Sequence, residues 1–130
     1  MSISSRLPTY RPYALAVLRI ATAVLFIQHG AAKLLGYPHV AMFDGLQLFS
    51  LLGVGGVLEL IGGALFLLGW KTRLVAFILS GEMAFAYFWF HAGSAFWPIL
   101  NKGELAALYS FLFLYFCFSG PGKLSIDGEA

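Results

Sequence analysis

Apolar residues dominate four stretches of the chain, and short segments rich in polar residues, glycine or proline separate them. A bilayer core is crossed by about 20 mostly apolar helical residues. Stretches near Tyr13–Leu35, Leu51–Trp70 and Thr72–His91 reach that length. The fourth, near 104–119, is shorter, and crosses only by starting earlier or by thinning the bilayer locally. The pattern predicts an all-α, integral membrane four-helix bundle forming one domain over residues 1–130. The first stretch is too long for the apolar core of a cleaved signal and is interrupted by Arg19, His29 and Lys33, so it reads as a retained helix. Between the first two stretches, Met42, Phe43, Leu46 and Phe49 recur at helical spacing within Gly36–Ser50, which predicts a short interfacial helix. Only Gly69–Thr72 separates the second and third stretches, forcing an antiparallel hairpin. Gly120-Pro121-Gly122 stops the last helix.

Composition supports this reading. Hydrophobic residues make up 60% of the chain and charged residues 11%, against roughly 45–50% and 25% in soluble domains. A domain of this size has too much surface to hide that excess. The net charge is +2 and the basic residues are scattered in ones and twos, which excludes a nucleic-acid surface. Cys117 is the single cysteine, so a dithiol–disulfide cycle within the chain is ruled out.

Charge also orients the bundle. Four spans put Arg6, Arg11, Lys71, Arg73 and Lys123 on the side of the termini, and Lys33 and Lys102 on the other. The positive-inside rule then places both the N- and C-termini in the cytoplasm.

Charged groups inside the apolar stretches are expensive, at about 2.5–3.5 kcal/mol each at a helix centre. Arg19, His29 and Lys33 share one helical stripe with Thr22 and Phe26. From the rise per residue, Arg19 lies roughly 9 Å from the cytoplasmic end, and Glu59 and Glu82 each roughly 15 Å. This predicts a buried layer in which Arg19 pairs with Glu59, Glu82 or both. Such a layer either pins the helices together or relays protons. A second layer near the outer face gathers His29, Lys33, His91, Asn101 and Glu104. Its chemistry suits an anionic or quinone headgroup, a metal or water. It carries no metal-site spacing, so no metal is assigned. Lys33 is expected to snorkel to the interface. Glycines beside Glu59, namely Gly55, Gly56, Gly62 and Gly63, suit close helix packing. The run Phe85–His91 reads as an aromatic girdle.

With these residues in view, the chain resembles the DoxX family of small four-helix bacterial membrane proteins. The resemblance rests on His29-Gly30 with Lys33-Leu34, Gly56-x-x-Glu59-x-x-Gly62-Gly63, Leu68-Gly69-x-x-Thr72-Arg73, Glu82-Met83 and His91. It continues through Phe96-Trp97-Pro98, Asn101-x-Gly103-Glu104 and Gly120-Pro121-Gly122-x-x-Ser125-Ile126-Asp127. It implies a multi-pass protein of the bacterial inner membrane. The implied function is that of a subunit or accessory factor of a quinone-linked membrane oxidoreductase system. It fixes no cofactor, with quinone as the candidate ligand, and the candidate partners beside the lipid bilayer are other oxidoreductase proteins or further copies of the chain. The resemblance supplies no catalytic residues, and an independent enzyme is not expected. A non-catalytic membrane scaffold or assembly protein and a small oligomeric carrier stay open beside it.

Overall fold

A computed structural model describes residues 2–128. The described residues form helices and turns and no strands. They fall into two compact units: the chain up to Thr72 together with the segment from Gly120 onward, and Arg73–Ser119.

The first unit opens with α1 (Ile3–Arg6), where Ser2 caps the N-terminus by accepting from the Ser5 N–H at 3.3 Å. A 3-10 turn, Leu7–Tyr10, leads into α2 (Arg11–Leu34). Pro12 sits in the first turn of α2, where its missing N–H costs nothing. The buried positions of α2 include Ala16, Arg19, Thr22, Ala23, Phe26 and Gly30, one stripe at helical spacing.

The connection to α3 (Leu51–Leu68) does not form the expected interfacial helix. A 3-10 turn over Ala41–Phe43 is the helical part of that segment. Gly36 and Gly45 both adopt left-handed backbone (φ 69° and 71°), and with Pro38 between them no α-helix propagates. The Ser50 hydroxyl caps α3 by accepting from the Gly53 N–H at 3.1 Å. At the other end Gly69 takes the left-handed conformation (φ 67°), and the Trp70 N–H reaches back to the Leu65 carbonyl at 3.0 Å.

Helices α2 and α3 pack antiparallel through glycine. A Cβ on Gly30 would lie 2.6 Å from the Leu60 nitrogen and 2.9 Å from the Gly56 oxygen. Both distances are shorter than any Cβ contact, so only glycine allows this approach. Of the four glycines expected to pack, Gly56 and Gly63 lie on the buried stripe of α3, while Gly55 and Gly62 are half-buried. Gly30 completes the contact, while Gly53 packs instead against the Gln47 and Leu48 carbonyls of the preceding connection.

The segment after Gly120 returns across the open end of this pair. The Lys123 N–H donates to the Pro12 carbonyl (3.0 Å), Ile126 to Leu68 (3.0 Å) and Asp127 to Gly69 (2.9 Å).

In the second unit, α4 (Thr72–Ala86) continues as a π-helical turn, Tyr87–His91. Then follow the short α5 (Pro98–Asn101) and α6 (Glu104–Ser119). Helices α4 and α6 are clasped reciprocally: the Ser80 hydroxyl donates to the Ser110 carbonyl at 2.7 Å, and Ser110 to Ser80 at 3.0 Å. Arg73 donates to the Cys117 and Phe118 carbonyls, satisfying the last turn of α6.

Among the described residues, three helical segments are long and apolar enough to cross a membrane: Ile3–Leu34, Leu51–Leu68 and Thr72–His91. Helix α6, with 16 residues, is a shorter apolar helix.

Candidate functional site

The charged groups of the first unit assemble differently from the expected layer. Lys33 Nζ donates to both carboxylate oxygens of Glu59, at 2.7 and 2.9 Å. The Lys33 side chain is 12% exposed and that of Glu59 3%. Lys33 therefore does not snorkel to the interface. It neutralises a carboxylate that would otherwise be stranded in an apolar surrounding.

Arg19 does not take up a carboxylate. Its guanidinium, fully buried, donates to backbone carbonyls: Leu67 at 3.4 Å, Lys123 at 3.0 Å, Leu124 at 2.6 Å, and Pro121. The expected Arg19 contact with Glu59, within the same unit, is replaced by this cage of carbonyls, most of them from the returning C-terminal segment.

The packing register gives the reason. Ile27 faces Gly63, Gly30 faces Leu60 and Leu34 faces Gly56, so facing positions on α2 and α3 have numbers adding to about 90. Glu59 then lies opposite Ala31, within a turn of both His29 and Lys33. Arg19 is about 12 residues further along α2, or roughly 18 Å, and lies beside the end of α3. Depth counted from helix ends puts Glu59 level with Arg19, whereas the register puts it level with His29 and Lys33. The glycines at 30, 56 and 63 were the signal that sets the register.

Asp127 closes the cage. Its carboxylate accepts the Lys71 N–H at 2.8 Å and the Thr72 N–H at 2.9 Å, acting as an N-terminal cap for α4. Burial pushes this carboxyl up. Hydrogen bonds from Thr72 and Lys71, and then the charge of Arg19, outweigh it and hold Asp127 below its ordinary range. Asp127 was not among the expected site residues, although it stands in the C-terminal motif.

In the second unit the outer-layer residues organise around Asn101, which is 4% exposed. Its amide donates to the Tyr87 hydroxyl and the Ala95 carbonyl, both at 3.1 Å, and its oxygen accepts the Gly103 N–H at 2.8 Å. His91 Nδ1 lies 3.1 Å from the Asn101 carbonyl. That contact fixes Nδ1 as the protonated nitrogen, because a carbonyl only accepts. Glu104 is exposed at the start of α6, away from this network, and Glu82 is half-buried on α4. His29 is half-buried on α2, one turn from Lys33. Phe88 and Trp89 are exposed at 72% and 63%, as ring side chains facing lipid would be.

The site thus offers a buried ammonium–carboxylate pair with a histidine one turn away, and a structural arginine beneath the chain's C-terminal segment. The first can hold and exchange a proton. The second joins three backbone segments.

Comparison with known proteins places the chain in a family. An uncharacterized protein of Haemophilus influenzae is 51% identical over 96% of each chain. The inner membrane protein YphA of Escherichia coli is 28% identical over 90% of each. No solved structure matches the chain. The model of the DoxX family matches residues 14–92, which include Arg19, His29, Lys33, Glu59, Glu82 and His91. The chain is a membrane protein of the DoxX family.

Proposed function

We propose that this protein is a multi-pass protein of the bacterial inner membrane that serves as an accessory subunit of a quinone-linked oxidoreductase system. Its two termini face the cytoplasm, and α6 completes a four-helix bundle. The cation distribution supports the orientation, and the similarity to an inner membrane protein of E. coli supports the compartment.

The observation that carries the reading is the Lys33–Glu59 pair, a proton donor and a proton acceptor held 2.7 Å apart with little solvent contact. The same interface packs elsewhere through glycines against the apolar side chains of Phe26, Ile27 and Leu34. Placing two charges there costs several kcal/mol before the attraction between them is counted, which favours a use beyond packing. A quinone accepts two electrons and two protons on reduction, and a partner protein supplies the electrons. The chain's own part is to hold the proton: Glu59 takes or releases it, Lys33 sets the charge balance, and His29 lies one turn away on the same stripe as a further carrier.

The test is quinone reduction by membranes containing the full-length protein and its co-purifying partners. Glu59→Gln is expected to lower the rate at least tenfold with the protein still at its normal level in the membrane. Unchanged rates in both Glu59→Gln and Glu82→Gln, with only the protein level falling, would favour a scaffold or assembly role. Recovery of the bare chain from mild detergent, with neither partner protein nor quinone, would count against the subunit reading.

A further inference from the structure

The connection between α2 and α3 walls a cavity of about 310 Å³, at the lower end of the roughly 300–1,000 Å³ range of small-molecule sites. Lys33 lines it, together with His39, Val40, Phe43, Asp44 and Leu46.

Three features define what fits there. Lys33 has three N–H donors, and Glu59 takes two of them. One donor therefore remains for a guest acceptor beside the cavity. The Phe43 ring stands 5.6 Å from the same ammonium and gives the cavity a flat apolar wall. His39 Nε2 and Asp44 Oδ1 lie 2.8 Å apart, joining the two sides of the Ala41–Phe43 turn at the exposed rim.

Charge then selects the guest. The Lys33 charge is already met by Glu59, and Asp44 stands at the rim. An anionic headgroup gains no free cation, because Glu59 already takes the Lys33 charge, and a cationic one gains no free anion, because His39 already engages Asp44. A hydrogen-bond acceptor without charge avoids both penalties.

We propose that this cavity binds the uncharged, oxygen-bearing headgroup of a membrane amphiphile, with an oxygen accepting from Lys33 and the body against Phe43. A quinone and an uncharged glycerolipid both carry that chemistry. The proposal does not rest on the oxidoreductase reading, because either source satisfies the cavity.

The experiment uses the full-length protein in phosphatidylcholine nanodiscs and four photoactivatable probes: a short-chain quinone, a monoacylglycerol, an alkyl phosphate and an alkylamine. Labelled peptides are mapped after photolysis. At least one uncharged probe is expected to label the 36–46 segment at least fivefold more than either charged probe. Val40→Trp fills the cavity from a loop position and is expected to cut that labelling at least fivefold without moving the melting temperature. Labelling by monoacylglycerol but not by quinone upholds the cavity and removes quinone as its ligand. Equal or stronger labelling by a charged probe, or labelling untouched by Val40→Trp, overturns the proposal.

Discussion

Glu59 sits in a place where a charge on it has one neighbour to meet it, Lys33. Lys33→Met strands that carboxylate, and removing one partner of a buried pair costs about 3–5 kcal/mol. Adding Glu59→Gln removes the stranded charge, so the double variant should be more stable than Lys33→Met alone, a coupling that thermal unfolding in detergent measures directly. A double variant no better than the single one would mean that the pair contributes nothing as a pair. Arg19 works differently, since its partners are carbonyls. Arg19→Met leaves those carbonyls to find water, and the expected loss is about 2–4 kcal/mol by the worth of hydrogen bonds to a charged donor. The accompanying sign is faster trypsin cleavage after Lys123. Asp127 adds a pH dependence to the same segment. Its carboxyl ionises at lower pH in the folded chain than in the unfolded one. The attachment is therefore at full strength above the unfolded value of about 3.9 and weakens as pH falls through the lower folded value. Hydrogen-exchange protection of the 71–72 and 126–127 amides should fall in that window, and Asp127→Asn should abolish the pH step.

At the scale of elements, two glycines in comparable helices are expected to behave oppositely. Gly30 on α2 touches the backbone of α3, where a Cβ has no room. Gly30→Val should push the helices apart and cost about 1–3 kcal/mol, the usual range for overpacking. A Cβ on Gly81 of α4 meets nothing within 4 Å. Gly81→Ala should be neutral or stabilising by up to about 1 kcal/mol, the helix-propensity difference between the two residues. Melting temperatures of the two variants, measured side by side, check both. The helices themselves were readable from hydropathy because length and apolar character are local properties. The 36–50 connection was not, because apolar residues at helical spacing carry no weight where two left-handed glycines and a proline interrupt the backbone.

For the whole molecule, the proposed four crossings with inward termini make a simple prediction. Alkaline phosphatase, active only outside the cytoplasm, should be inactive when fused after Asp127 and active when fused at Gly93, in the loop before α5. Activity at the C-terminal fusion would leave three crossings, with α6 lying along the membrane. The 16 residues of α6 rise about 24 Å, so a crossing requires a thinned bilayer or help from α5.

By itself, the amino-acid sequence determined which segments are helical and apolar, where the charges interrupt them, and the family to which the chain belongs. These properties reside in consecutive residues and in motif order. Tertiary structure decided which charges meet. Lys33 reaches Glu59 because Gly30, Gly56 and Gly63 set the register of two antiparallel helices, and Arg19 is held by carbonyls from residues about a hundred positions away. Hydropathy is blind to both, because it gives how long a helix is but not how far it slides along its neighbour, nor where a distant segment folds back.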